Sequence, residues 1–152
     1  AERGVELVVG AEADLPAVDA DPDRLLQALS NLVSNAMKFT PRGGRVELFA
    51  REESPPLELR PNGQTRRNIR FSVRDSGPGI ALENIEHVFD WFWRAPGGDS
   101  DGAGLGLGIA KGLIEAHGAR LHVESATGEG STFWFTLSGS AEIEAFTPVP
   151  VS

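Results

Sequence analysis

The sequence predicts an α+β fold, a mixed sheet with helices packed on one face, and three observations support that prediction. Five segments alternate apolar and polar residues, and three others repeat their apolar residues at helical spacing. The two kinds do not alternate regularly along the chain. Two hairpin-like pairs, around residues 45–75 and 119–138, bracket the rest, which favours this architecture over a doubly wound parallel sheet.

The predicted strands are VELVV (5–9), RVELFA (45–50), NIRFSVRD (68–75), ARLHVE (119–124) and STFWFTLS (131–138). The first helix is expected over Pro22–Phe39, with Asp21 as N-cap and Pro22 at the first helical position, where its missing N–H costs nothing. A short helix is expected over Ala81–Phe89. A third runs from about Leu105 to His117 and is ended by Gly118. Residues 51–68, with three prolines and many charges, read as an irregular connection between strands. Residues 95–104, APGGDSDGAG, are the most flexible by composition, and 140–152 are expected to be a disordered tail after a single domain over 1–139.

With 152 residues, 40% of them hydrophobic, the chain is long enough to bury one core. A net charge of −8 and a pI near 4.8 argue against a nonspecific nucleic-acid binder, which draws its affinity from Lys and Arg on phosphates. The absence of cysteine excludes disulfides and thiolate metal sites and suits a cytoplasmic domain. No apolar run reaches the roughly 18 residues a membrane span needs. The chain opens on Ala1 rather than a methionine and is expected to belong to a longer protein, one that could be anchored in the inner membrane.

Three features are candidates for chemistry. The stretch GAGLGLGIAKGLIEAHG (102–118) places four glycines just ahead of a helix, an arrangement that can bring backbone N–H groups and a helix N-terminus to phosphate. The Rossmann spacing fails there, because the sixth position from Gly102, Gly104 or Gly106 is Leu107, Ile109 or Lys111. The P-loop spacing fails too, since Ala110 precedes Lys111. A flexible loop with a tight helix start is the simpler reading of the glycines alone.

The second feature is a polar stripe on the first helix. Leu25, Leu26, Leu29, Leu32, Val33, Ala36 and Met37 fall on one broad face, and Gln27, Asn31, Asn35 and Lys38 lie opposite. Asparagine is a poor helix former, so two of them four apart cost stability. Amide oxygens suit a hard cation and lysine suits phosphate, although a solvated face is the commoner origin of such a stripe when no second signal accompanies it.

The third feature is an acid. Ile69, Phe71, Val73 and Asp75 share one strand face, so an apolar stripe ends in a carboxylate just before the Ser76–Gly77–Pro78–Gly79 turn. An ionised carboxylate only accepts hydrogen bonds; it suits the exocyclic amine of adenine and disfavours the guanine carbonyl. A turn-capping aspartate that bonds its own loop is the even alternative.

The order NLVSNAMKFT, DSGPGI, VFDWFWRA, GAGLGLGIAKGLIEAHG and GEGSTFWFTL resembles the catalytic ATP-binding domain of bacterial sensor histidine kinases. That domain belongs to the superfamily of gyrase, heat-shock chaperone and mismatch-repair ATPases, and the match covers about residues 5–138. The resemblance implies a Bergerat-type two-layer α/β sandwich, a mixed sheet of about five strands against three helices. It implies ATP and Mg²⁺ as cofactors, with Asn35 as metal ligand and Asn31 supporting the metal or its water. Lys38 would contact phosphate and Arg94 would reach the terminal phosphates. Asp75 would bind the adenine amine, Gly77 and Gly79 would shape that wall, and Thr132 would join through water. Gly102, Gly104 and Gly106 would hinge a lid, and Phe39, Ile80, Leu105 and Leu107 count among the nucleotide-binding positions. Departures are Trp91 where the family commonly has proline, Trp93 at an aromatic position, a short lid and a long 51–68 connection.

Hydrolysing relatives carry a glutamate four residues before the metal-binding asparagine, to take a proton from water. Asn31 is neutral and cannot do this, which points to transfer onto a nucleophile supplied elsewhere. His87, His117 and His122 lack the family's acceptor pattern and read as structural. The expected partners are the protein's own dimerisation and phosphoacceptor domain and a response regulator downstream, with no nucleic acid and no direct membrane contact. The alternatives are an anti-sigma-type serine kinase or regulator of the same fold, and a catalytically silent nucleotide-binding module.

Overall fold

The computed structural model describes residues 4–53, 58–59, 65–66, 68–85, 87–89 and 106–139. Its elements in order are β1 (Glu6–Ala11), α1 (Pro22–Phe39), β2 (Arg45–Glu52), β3 (Glu58–Leu59), β4 (Thr65–Arg66), β5 (Asn68–Asp75), α2 (Leu82–Ile85), α3 (Gly106–Ala116), β6 (His122–Ser125) and β7 (Ser131–Ser138). Five strands form one sheet in the order β1-β2-β5-β7-β6. β1 runs parallel to β2 and every other pairing in it is antiparallel, so the sheet is mixed as expected. β3 and β4 form a separate two-stranded hairpin inside the connection that reads as irregular in sequence. The expected tail, 140–152, lies outside the described residues.

α1 occupies the predicted span. The Asp21 carboxylate accepts the N–H groups of Asp23 (3.0 Å) and Arg24 (3.3 Å), satisfying two donors that the first helical turn leaves open. At the other end the Thr40 hydroxyl donates to the Ala36 carbonyl at 2.7 Å. Ala28, Leu32 and Ala36, spaced by four, are the buried residues of α1. Leu26 departs from the predicted apolar face: it lies about 120° around the helix from Leu32 and is 65% exposed.

α3 packs beside α1 over the same sheet face, with Ala110 and Ile114 buried and Leu107 and Leu113 partly so. That stripe is offset from the Leu105, Ile109, Leu113 and Ala116 pattern that helical spacing suggests; Ala116 is exposed and Leu105 lies outside the described residues. Gly118, at φ +81°, ends the helix with the paired bonds Gly118 N–H to Glu115 O (2.9 Å) and Ala119 N–H to Ile114 O (3.3 Å). His117 then ties the two helices together. Its Nδ1 bonds the Leu113 carbonyl at 2.8 Å, and its Nε2 accepts the Asp21 N–H at 3.1 Å, which supports the structural role expected of it.

The core joins Val46, Val73, Phe133, Phe135 and Leu137 of the sheet to the buried residues of both helices. Phe71 stacks on Phe135 with ring centroids 5.3 Å apart. The short helix predicted over Ala81–Phe89 stops at Ile85 and buries none of its own residues, and it is Val88, in the turn that follows, that reaches the core. The remaining differences are at strand ends: β2 continues to Glu52, β6 is shorter than predicted, and β1 begins after the buried Val5.

Candidate functional site

Asp75 is the last residue of β5, paired with Val46 on one side and Ser131 on the other, so its side chain shares the core-facing side of the sheet. It is 8% exposed. Its Oδ1 accepts the Gly77 N–H at 2.8 Å. Burial pushes the carboxyl pKa up from its ordinary value, and backbone hydrogen bonds from Gly77 and Ser131 pull partly against that rise. The two readings of this acid are therefore compatible. It caps its own turn with one oxygen, and a carboxylate has about four acceptor positions, which leaves capacity for an amine from outside.

The turn after Asp75 is pinned on both sides. Towards β2, the Ser76 hydroxyl accepts the Arg45 N–H at 2.9 Å, and the Ser76 N–H donates to the Arg45 carbonyl at 3.1 Å. Towards the β6–β7 turn, Gly128 donates to the Pro78 carbonyl at 2.7 Å and Ile80 donates to the Ser125 hydroxyl at 2.7 Å. Ser125 in turn donates to the Gly130 carbonyl at 2.9 Å and lies 2.7 Å from the Ser131 hydroxyl. A hydroxyl carries one proton. With that of Ser125 on Gly130, Ser131 is the donor between the two serines.

Two glycines make this junction possible. Gly79 has φ +79°, and a Cβ there would fall 2.0 Å from the Ala126 carbonyl oxygen. Gly130 has φ +80°, and its Cβ would fall 2.1 Å from the carbonyl oxygen of Asp75 itself. Both combine a left-handed backbone with a backbone contact that no side chain can relieve.

On α1, Asn31, Asn35 and Lys38 lie within about 60° of arc and all three are half-buried, so this flank is not a fully solvated face. The Lys38 ammonium lies 5.9 Å from the centroid of the Phe39 ring. An open cleft of about 760 Å³ separates the end of α1, from Lys38 to Arg42, from the Ser76–Pro78 turn, with Gly128 at its rim. That volume suits a nucleotide-sized ligand. Of the predicted site residues it brings together Lys38, Phe39 and Gly77; Asp75 stands directly behind Gly77, while Asn31 and Asn35 lie further up the helix.

Leu107 lies in the first turn of α3, partly buried against the core, and Gly106 is the first residue of that helix. Arg94, Gly102, Gly104 and Leu105 lie outside the described residues. Thr132 is placed elsewhere than expected. It pairs with Arg74 and Glu124, so by the strand period of two its side chain lies on the opposite face of the sheet from Asp75. Ser131 takes that place: it is buried, faces Asp75 across the ladder and bonds Ser125. The signal was present in STFWFTLS, where Ser131 shares a face with Phe133, Phe135 and Leu137, just as Asp75 ends the apolar face of β5.

Among the described residues no three His, Cys, Asp or Glu side chains stand together as a metal cage. Asn31 and Asn35 offer neutral, hard oxygen donors, which fits a Mg²⁺ that takes its other ligands from phosphate and water.

Residues 20–140 match the family of histidine kinase-, DNA gyrase B-, and HSP90-like ATPases. The adaptive-response sensory kinase SasA of Synechococcus elongatus is 35% identical over 133 residues, which is 87% of this chain and 32% of SasA. The sensor histidine kinase WalK of Bacillus subtilis is 38% identical over 130 residues, 84% of this chain and 20% of WalK. The crystal structure of full-length ShkA in complex with AMPPNP superimposes with a TM-score of 0.68 at 35% identity, covering 91% of this chain and 27% of that one. The chain thus spans about a third or less of the length of these relatives. On its fold, its acid at the end of β5, its asparagine-bearing helix and these matches, the chain belongs to that ATPase family, as a catalytic ATP-binding domain of the histidine kinase type.

Proposed function

We propose that this domain binds ATP with Mg²⁺ and donates the γ-phosphoryl group to a histidine on a separate dimerisation and phosphoacceptor domain, from which it passes to a response regulator. The observation that carries the reading is Asp75: a buried carboxylate with spare acceptor capacity, held by backbone N–H groups on a wall pinned to two strands. Asp75 accepts the adenine amine, with Ser131, rather than Thr132, as the hydroxyl beside it. Gly77, Gly79 and Ile80 form the wall, and Phe39 and Lys38 border the cleft on the α1 side.

Asn35, supported by Asn31, holds Mg²⁺, which neutralises charge on the phosphates. Lys38 and Arg94 add positive charge at the phosphates, and Gly102, Gly104, Leu105, Gly106 and Leu107 belong to the lid. The incoming imidazole nitrogen forms a P–N bond as the bond from the γ-phosphorus to the bridging oxygen breaks, and ADP leaves. Positioning and charge neutralisation do most of the work in such a transfer. Asn31 contributes no general base for water, so hydrolysis is slow beside transfer.

Isothermal titration of the chain with ATP, ADP and GTP tests the site. ATP and ADP are expected to bind with Mg²⁺ and GTP at least tenfold more weakly, since a missing donor leaves a buried acceptor unpaired. Asn35→Ala is expected to abolish the Mg²⁺ dependence. Equal affinity for GTP would remove the adenine assignment, and phosphorylation of a histidine within this isolated chain would remove the separate acceptor.

A further inference from the structure

His117 joins α3 to the end of α1 remote from the cleft, and the chemistry of its ring fixes how it does so. An amide N–H only donates and a carbonyl only accepts. Nε2, which takes the Asp21 N–H at 3.1 Å, is therefore the unprotonated nitrogen, and Nδ1, 2.8 Å from the Leu113 carbonyl, carries the proton. A single neutral tautomer serves both partners. The contact sets the C-terminal end of α3 against the N-terminal end of α1, so the two helices run antiparallel over the sheet. α3 has 11 residues, a length of about 16 Å. The same rise along α1 from Asp21 reaches about Leu32, and Asn31 and Asn35 flank that level. The Gly106 end of α3 thus comes level with the two asparagines.

Between those ends the buried side chains are Ala28, Leu32 and Ala36 from α1 and Ala110 and Ile114 from α3. Alanine makes only a shallow ridge for helix packing, so the contact resists sliding weakly; a slide of one residue moves the far end of α3 by about 1.5 Å. The charged groups around the His117 ring are Asp19, Asp21, Asp23 and Arg24 at the start of α1, Lys111 and Glu115 on α3, and Arg120 after it. The Asp21 Oδ1 already accepts the N–H groups of Asp23 and Arg24, and Glu115 pairs with Lys111 at 3.2 Å. Acids outnumber bases at the start of α1 and attract a proton to the ring. An imidazolium donates from both nitrogens, however, and cannot accept the Asp21 N–H.

We propose that His117 is a positioning residue for the nucleotide site: its neutral imidazole sets how far α3 slides along α1, and with it the place of Gly106 and Leu107 beside the Asn31 and Asn35 flank. This role rests on the ATP·Mg²⁺ site proposed above and adds a control to it. Protonation of the ring releases the Asp21 N–H and lets α3 shift, so acid weakens nucleotide binding through a residue that touches no nucleotide.

The test compares three variants by titration calorimetry with ATP and Mg²⁺, with thermal unfolding measured alongside. His117→Gln ends near the position of Nε2 and keeps the bond to Asp21, His117→Asn ends near Nδ1 and keeps only the bond to Leu113, and His117→Ala keeps neither. Affinity within about twofold of the parent is expected for His117→Gln, and binding about fivefold weaker for the other two, the worth of one neutral hydrogen bond. Between about pH 8 and pH 5, where imidazole gains its charge, the parent is expected to lose several-fold more affinity than His117→Gln, which retains every other titrating group. Lowered unfolding temperatures with unchanged affinity would reduce His117 to a structural tether and overturn the proposal. So would equal affinity in His117→Gln and His117→Asn, parallel pH profiles, or ring ¹⁵N shifts that put the proton on Nε2. A parent that binds no ATP removes the site and this role with it, whereas a parent that binds while the variants match it removes only the role of His117.

Discussion

Two carboxylates sit against the same sheet and are held in opposite ways. Glu53, just after β2, bonds the Arg70 guanidinium at 2.6 Å through one oxygen and accepts the Thr136 hydroxyl at 2.9 Å through the other. Asp75, at the end of β5, is held by backbone N–H donors alone among the described residues. Burial raises the pKa of both groups. For Glu53 the hydrogen bonds from Arg70 and Thr136 and the nearby charges of Arg70 and Arg51 outweigh burial, and its pKa ends below the ordinary value; that of Asp75 ends above it. Glu53 is a finished structural contact, with both oxygens committed and the Arg70 guanidinium itself 5.1 Å from the Trp134 ring centroid. Asp75 carries a charge that the fold positions but does not neutralise, as a ligand-binding carboxylate requires.

The largest effect expected from breaking this contrast comes from the backbone beneath Asp75. Gly130→Ala puts a methyl group 2.1 Å from the Asp75 carbonyl oxygen at a left-handed φ. Strain of this kind costs about 3 kcal/mol or more once the clash is added, and thermal unfolding of the variant should shift down by roughly 10 °C. Gly118→Ala, at a similar φ but with open space around its Cβ, should cost only about 1 kcal/mol. Equal shifts in the two variants would mean that the junction at Asp75 yields more easily than its geometry implies.

Asp75→Asn comes next. Hydrogen bonds to charged groups are worth about 1.5–3 kcal/mol, so ATP affinity should fall roughly tenfold to a hundredfold by titration calorimetry. Glu53→Gln should leave ATP affinity unchanged, because that carboxylate faces away from the nucleotide wall. Ser125→Ala sharpens the contrast on a smaller scale. It removes the acceptor of the Ile80 N–H and the donor to Gly130, and about 1 kcal/mol of alignment should be lost as a rise of roughly fivefold in the Kd for ATP. Restored affinity in Ser125→Thr, which keeps the hydroxyl, would separate this from simple destabilisation.

Much of this was legible in the sequence, and the misses share a cause. The bounds of α1, β5 and β7 followed from strong local signals: Asp21 and Pro22 at a helix start, and unbroken alternation over eight residues. Asp75 stood out because an apolar strand face ended in a charge. Thr132 and Ser131 differ by one residue, which in a strand means the opposite face, and the register that sets Ser131 rather than Thr132 beside Asp75 comes from pairing with β5. Leu26 and Val9 are apolar and periodic yet exposed, because the pattern shows which residues share a face but not whether another element covers it. The tether from His117 to Asp21 spans residues far apart in the chain, and no local pattern announces it.

The smallest effect expected is also the most direct check of the contrast, because the two acids respond to pH with opposite sign. Glu53 has its pKa lowered by folding from 4.5, so its contribution is fully present above that value and is lost as pH falls through the folded pKa. Asp75 has its pKa raised from 3.8; the folded state takes up its proton first, and acidification through that window favours folding, while removing the carboxylate proposed to accept the adenine amine. Unfolding temperatures measured across acid pH should therefore fall less steeply in Glu53→Gln than in the parent, and more steeply in Asp75→Asn. ATP affinity of the parent should begin to fall above pH 3.8, where an ordinary aspartate is still ionised. Were both variants to change the slope in the same direction, the two carboxylates would not differ in the way their partners indicate, and Asp75 would be as fully paired as Glu53.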